Sequence, residues 1–282
     1  MKTILLPVDF SENSWNAVFS TLKLFDKTAC HFILLHAYSM SPGKLPGDPE
    51  QQKLWQVLEN RKREATDEME QMLGYLEREH RHPKHRISGT CVPGELISCI
   101  QAVLEAEPVD LIAIGTQGAT GAEQLFMGSN AVRIMRRVRT RPTLIVPAGF
   151  DFQRLRHVLF PTDYLHAFEP YQLKLLKELV LQWRATLHIV YVASEFELKP
   201  SQQDHRELLE SRLPGINCRF EEVPIKGHLK DALLGHAHKI GAEMIALVRH
   251  RHSLLEAVVK EPVVKRLAFE TTMPLLVLPE LS

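Results

Sequence analysis

Ile4-Leu-Leu-Pro-Val-Asp-Phe10 recurs as Val158-Leu-Phe-Pro-Thr-Asp-Tyr164, and this pair of stretches decides how the chain is read. Four further blocks repeat in the same order. Phe32-Ile-Leu-Leu-His-Ala37 returns as His188-Ile-Val-Tyr-Val-Ala193, and Val92-Pro-Gly-Glu-Leu96 as Ile225-Lys-Gly-His-Leu229. Asp110-Leu-Ile-Ala-Ile114 answers to Glu243-Met-Ile-Ala-Leu247, and Arg141-Pro-Thr-Leu-Ile-Val-Pro147 to Met273-Pro-Leu-Leu-Val-Leu-Pro279. The period is about 140 residues, so each copy is a whole domain rather than a solenoid unit. Gly149-Phe-Asp-Phe-Gln153 is the natural boundary, which predicts domains over 1–148 and 154–282.

Within the first copy, apolar strand-length runs near 2–8, 30–37, 85–91, 110–114 and 142–147 alternate with helix-length segments near 12–27, 51–80, 94–106 and 129–138. The runs are apolar along nearly their whole length, as expected when helices cover both faces of a parallel sheet. Such alternation predicts a doubly wound α/β domain. Ser41-Pro-Gly-Lys-Leu-Pro-Gly-Asp-Pro49 reads as a loop, because its prolines and glycines interrupt any regular ladder.

Composition narrows the partners. Lys plus Arg and Asp plus Glu number 34 each, so no global charge draws the chain to DNA or to an anionic membrane. No apolar run approaches the roughly 20 residues a membrane-spanning helix needs. Met1-Lys-Thr-Ile-Leu-Leu-Pro7 leads directly to Asp9 with no cleavage-site pattern, which predicts no secretory signal and a cytoplasmic location. Cys30, Cys91, Cys99 and Cys218 are scattered without a CxxC pair and suit buried thiols in a reducing compartment.

Gly115-Thr-Gln-Gly118 follows a buried strand, and Gly128-Ser129 opens the helix that continues through Ala131-Val-Arg-Ile-Met135. Glycine permits close backbone approach and φ > 0, while a helix start offers unpaired N–H groups and partial positive charge. The combination predicts an anion site, with phosphate the obvious anion.

On these residues the chain resembles a tandem universal stress protein, two such domains covering essentially its full length. The first copy is similar to the nucleotide-binding branch: Pro7-Val-Asp9 after the first strand, then G-x2-G-x9-G-S as Gly115, Gly118, Gly128 and Ser129. The resemblance implies two Rossmann-like parallel sheets of strand order 3-2-1-4-5, paired through their last strands as an intramolecular pseudo-dimer. It implies an ATP or AMP site between the first and fourth strands, with the nucleotide acting as a regulatory ligand in a stress response. Pro7, Val8, Asp9, Ala37, Ile114, Gly115, Gln117, Gly118, Gly128, Ser129 and Asn130 fall at that site, Ala37 where backbone contacts adenine. Asp9 can accept from a ribose hydroxyl or hold Mg2+ through bound water; otherwise it caps the helix near Glu12, a task Ser11 can also perform.

No lysine follows Gly128 as in a P-loop, and no neighbour stands out as a general base for water. The loop therefore reads as a cradle without apparatus for rapid hydrolysis. Slow ATPase or phosphoryl-transfer activity, and a nucleotide-independent ligand carrier or scaffold, are the alternatives. Arg133, Arg136, Arg137, Arg139 and Arg141 read as a solvated helix face and C-terminal cations. His80, His82 and His85, and His236, His238, His250 and His252, form two groups; zinc is weighed against exposed basic loops, and the Cys and carboxylate spacing of a zinc site is missing. His36 and His188 lie in strands and read as core or rim histidines.

The second copy keeps Pro161-Thr-Asp163 but replaces the glycine loop with Val248-Arg-His-Arg251, and Glu261-Pro262 stands at the Gly-Ser position. A carboxylate repels phosphate there and proline removes a donor, so this copy is expected not to bind ATP in the first copy's manner. Asp163 then reads as a structural cap. The last strands, Thr143-Leu-Ile-Val146 and Leu275-Leu-Val-Leu278, predict edge pairing within the chain and leave a further homodimer open.

Overall fold

The computed structural model describes residues 1–38, 48–116, 128–193, 197–225, 228–248 and 272–279 of the 282-residue chain. The first half runs β1 (Lys2–Pro7), α1 (Glu12–Leu24), β2 (Cys30–Tyr38), α2 (Asp48–Glu79), β3 (His85–Pro93), α3 (Leu96–Ala106), β4 (Leu111–Gly115), α4 (Ser129–Arg137) and β5 (Thr143–Val146). The second runs β6 (His157–Thr162), α5 (Pro170–Trp183), β7 (Thr186–Ala193), α6 (Pro200–Ser211), β8 (Asn217–Pro224), α7 (Leu229–Ile240), β9 (Met244–Val248) and β10 (Leu275–Leu278). One boundary differs from the sequence reading: α2 already starts at Asp48, with Pro49 in its first turn. There the missing N–H is no loss and the fixed φ suits a helix. Residues 41–47 lie outside the described residues.

All ten strands of the described residues form one sheet, ordered β3-β2-β1-β4-β5-β10-β9-β6-β7-β8. Each half has the predicted order 3-2-1-4-5 and is parallel throughout. The halves meet where β5 and β10 pair antiparallel, Ile145 opposite Leu275 and Thr143 opposite Val277. Alternate residues of β1 explain the layering. Ile4 and Leu6 pack with Val18 and Leu22 of α1 and Met72 and Leu76 of α2. Leu5 packs on the other face with Ile100 of α3 and Ile134 of α4. Both apolar layers run through the two halves, so the core is continuous across the seam.

Strand register corrects one match between the copies. Ile4 pairs with Phe32, and its counterpart Val158 pairs with Leu187, so Phe32 answers to Leu187 and Ile33 to His188. Matching Phe32 to His188 by sequence slips the strand by one residue, which would put every side chain on the wrong face.

Beyond the strand pair, α5 grips the first half. Trp183 Nε1 donates to the Leu24 carbonyl at 2.9 Å and Gln182 Nε2 to the same oxygen at 3.0 Å. Lys27 Nζ sits 4.7 Å above the Trp183 ring, whose edge meets Phe152 at 5.2 Å. Lys2 and Glu178 form an ion pair at 2.6 Å. Trp183→Ala is expected to lower stability by about 3 kcal/mol, chiefly through packing lost against Phe152 and Lys27, measured as a lower urea midpoint.

Candidate functional site

β1, β2 and β4 end side by side at Pro7, Tyr38 and Gly115. β1 is the strand from which the order runs both ways, and ligands of open α/β sheets bind beyond the carboxyl ends at such a point. A cavity of about 270 Å³ opens there. It is lined by Pro7, Val8 and Asp9 after β1, His36 and Ala37 on β2, Ile114, Gly115 and Thr116 at β4, and Gly128, Ser129, Asn130 and Ala131 at the start of α4, with Ser14 and Leu96 completing the wall. Nine of the eleven residues singled out from sequence are thus brought together. The other two, Gln117 and Gly118, lie outside the described residues.

The start of α4 is built without a side-chain cap. Gly128 is its N-cap, at φ −55° and ψ 147°, and supplies no side-chain cap to the first-turn amides among the described residues. At α3, by contrast, Glu95 accepts from the amides of Ile97 and Ser98 at 3.1 and 3.3 Å. The start of α4 therefore turns uncapped amide donors and the positive end of its dipole toward the cavity. Gly128 N–H donates to the Thr116 carbonyl, while Thr116 Oγ1 accepts from Ala148 N at 3.2 Å. Thr116 thereby ties the β4 end to both flanking segments.

Neither described glycine serves here through a left-handed backbone; the positive-φ glycines are Gly94, Gly149, Gly215 and Gly241. Gly115 is required by packing instead. A Cβ added to it would lie 2.8 Å from the Asn13 carbonyl oxygen in α1, closer than real Cβ atoms approach.

Asp9 is not the cap of α1. Ser11 is, its Oγ accepting from Ser14 N at 3.3 Å. Asp9 holds that cap: its Oδ1 accepts from Ser11 Oγ at 2.5 Å and Ser11 N at 3.2 Å. The turn between them is strained, with Phe10 at φ 60° and its ring 4.6 Å from that of His36. His36 Nδ1 donates to the Val8 carbonyl at 2.8 Å, which fixes the proton on Nδ1. Sequence reasoning missed Ser14, His36, Leu96, Thr116 and Ala131 as lining residues. His36 carries a usable signal in its place beside Ala37 at the end of a strand, and Thr116 and Ala131 in theirs beside Gly115 and Asn130.

In the second half, Tyr164 repeats the left-handed turn of Phe10 at φ 52°. Asp163 is buried, and its Oδ1 accepts from Leu165 N at 3.0 Å. It caps a turn rather than a helix, since α5 starts only at Pro170. The Asp163 carbonyl accepts from Gln202 Nε2 of α6 at 2.8 Å, so protein groups cover this turn. Arg249, His250, Arg251, His252, Glu261 and Pro262 lie outside the described residues.

Among the described residues no group of three or more His, Cys, Asp or Glu is arranged to hold a metal. His80 packs on Phe19 at 4.7 Å and His85 Nε2 bonds to the Phe25 carbonyl at 3.1 Å. Of the arginines, Arg133 pairs with Glu95 at 2.6 Å, and Arg139 Nε donates to the Arg136 carbonyl at the end of α4. Gly115→Ala is expected to cost about 1–3 kcal/mol of stability, read by urea denaturation, because the backbone of α1 must give way.

The sequence model of the universal stress protein family matches residues 1–147. No curated protein matches the chain in sequence. Among solved structures, a universal stress protein from Archaeoglobus fulgidus superposes with a TM-score of 0.64 at 18% identity, over 98% of each chain. A Pseudomonas aeruginosa protein of unknown function gives 0.57 at 12% identity, over 99% of this chain and 92% of its own. The cytoplasmic domain of a prokaryotic cation chloride cotransporter gives 0.54 at 13%, over 99% and 95%. These likenesses bear on the fold. No helix of the described residues is long and apolar enough to cross a membrane.

Proposed function

The chain belongs to the universal stress protein family, and from that premise we propose that its first half binds an adenine nucleotide, ATP or AMP, as a regulatory ligand. Family membership supports a stress-response role; the nucleotide is our reading of the cavity. The observation that carries it is the uncapped start of α4 at Gly128–Asn130, which borders a cavity at the carboxyl ends of β1, β2 and β4. Phosphates would sit against the α4 amides, where an anion gains from both hydrogen bonds and the helix dipole. The base would lie toward Val8 and Ala37, where small apolar side chains leave room for a flat ring. Asp9 is placed to accept from a ribose hydroxyl or to hold Mg2+ through water.

Binding fits the site better than rapid turnover. Of the described lining residues only Asp9 carries a carboxylate and only His36 an imidazole, and each is held by hydrogen bonds within the protein. A nucleotide that favours one conformation would shift its population and so alter what partners meet. A cytoplasmic site of action belongs to this reading.

Equilibrium dialysis of the purified chain with ATP, AMP and GTP tests it. Retention of an adenine nucleotide is expected, and Gly128→Leu should weaken it by more than about tenfold. A leucine at Glu261 in the second copy should change it little. Failure to retain any adenine nucleotide at millimolar concentration would refute the reading.

A further inference from the structure

Beneath α7, four titratable side chains of the second half stand in one hydrogen-bonded line. His157 Nδ1 lies 3.0 Å from His188 Nε2, and His188 Nδ1 lies 3.2 Å from Glu221 Oε2. His236 Nε2 reaches the same oxygen at 2.8 Å. The residues come from β6, β7, β8 and α7 in turn, and His188 is only 2% exposed. Strand register puts Thr3, Ile33 and Thr90 of the first half at the places of His157, His188 and Glu221. Counted from the first residue of each helix, Val103 of α3 stands where His236 does. The fold is therefore satisfied by an isoleucine at the central position, and nothing in packing demands an imidazole there.

Chemistry fixes the protons. An ionised carboxylate only accepts, so His188 Nδ1 and His236 Nε2 both donate to Glu221. Neutral His188 then offers Nε2 as an acceptor, and His157 Nδ1 must donate to it. In this state every bond is made and the line carries one negative charge. A proton on His236 cancels that charge without breaking a bond, and one on His157 is also accommodated. A further proton on His188 sets two N–H groups against each other and leaves a cation under α7.

We propose that His157, His188, Glu221 and His236 form a proton-sensing switch, in which filling the line with protons loosens α7 from the sheet. α7 covers β6, β7 and β8, so hydrating a charged His188 requires its movement. The groups facing His188 are Glu221 and Arg219 on β8, His157 on β6 and, through Glu221, His236 on α7. The Glu243 carboxylate meanwhile takes the His157 backbone N–H at 2.8 Å.

Burial, against the pull of Glu221 and with help from His157 and Arg219, holds the His188 pKa below its ordinary value. A lowered histidine contributes stability above its unfolded pKa, about 6.5, and that stability is lost as pH falls toward the folded value. Glu221 is also lowered, burial being outweighed by its bonds to His236 and His188. Its own contribution is lost only in the more acid carboxylate range, which leaves the window just below neutrality to the imidazoles.

Hydrogen exchange of the full chain at about pH 7.5 and about pH 5.5, corrected for intrinsic rates, tests the proposal. The amides of α7 are expected to lose at least about tenfold more protection than those of α3 in the same molecule. His188→Ile, which installs the residue of the first half, should abolish that excess. Glu221→Gln removes the charge that offsets the added protons, so the loss should deepen; this variant also serves if His188→Ile does not fold. Equal loss in α3 and α7 of the wild type, or an excess unchanged in the variants, would overturn the switch.

Discussion

The antiparallel pairing of β5 with β10 is the contact on which the rest of the molecule depends. Thr143–Val146 and Leu275–Leu278 are short and buried along their whole length. In an isolated half either would be a bare, hydrophobic sheet edge, a template for association with any other strand. Pairing them removes both edges and fuses two parallel sheets into one. Each strand is also tied at its end by its own half: Asn16 Nδ2 donates to the Pro147 carbonyl at 3.0 Å, and Gln172 Nε2 to the Pro279 carbonyl at 2.9 Å. The antiparallel seam turns the carboxyl ends of the two sets of strands to opposite ends of the sheet. The cavity at Pro7 and Gly115 and the turn at Asp163 are consequently far apart, and each can be specialised without crowding the other.

Most of this architecture is legible in the chain because the repeat is written in residues with a physical function. Apolar runs without alternation mark strands covered on both faces, and the matched proline-bounded strands near 142–147 and 274–279 mark the edges that must pair. That same absence of alternation hides the register. Nothing in Phe32-Ile-Leu-Leu against His188-Ile-Val-Tyr says which residue faces which helix, and only the hydrogen-bond ladder places Ile33 opposite Ser88 and His188 opposite Arg219. The consequence is large: a residue that sequence matching assigns to the Phe32 layer lies beneath α7 instead.

The candidate site was legible in outline and misread in some of its reasons. Glycine at position 115 suits a loop by its freedom, yet it is fixed by the passage of the Asn13 carbonyl, a contact between residues about a hundred positions apart. Asp9 was weighed as ligand or cap; Ser11 takes the cap, and Asp9 fastens Ser11 while still facing the cavity. Thr116 lies within the Gly115–Gly118 loop, but its acceptance of the Ala148 amide across the β4–β5 seam cannot be read from its neighbours. Local motifs report which backbone turns a chain can make. They do not report which distant carbonyl or amide those turns will meet.

Duplication with divergence also sets the relation between the cavity and the histidine line. α4, whose start borders the cavity, and α7, which covers the line, lie on the same face of the sheet. Ile134 and Met135 of α4, Ile145 of β5, Leu275 and Val277 of β10, and Leu233 and Ala237 of α7 belong to one continuous buried cluster. A close-packed layer of this kind transmits displacement rather than absorbing it. Coupling between two sites needs an element with two arrangements that both sites bias, and reciprocity then follows from thermodynamics. In the first half the α3–sheet layer is apolar at Ile33 and Val103. In the second half, His188 and His236 give the equivalent layer a charge state that solvent can change. The proposed proton switch therefore belongs to the copy whose sequence lacks the glycine loop, and the seam strands β5 and β10 lie in one buried layer with α4 and α7.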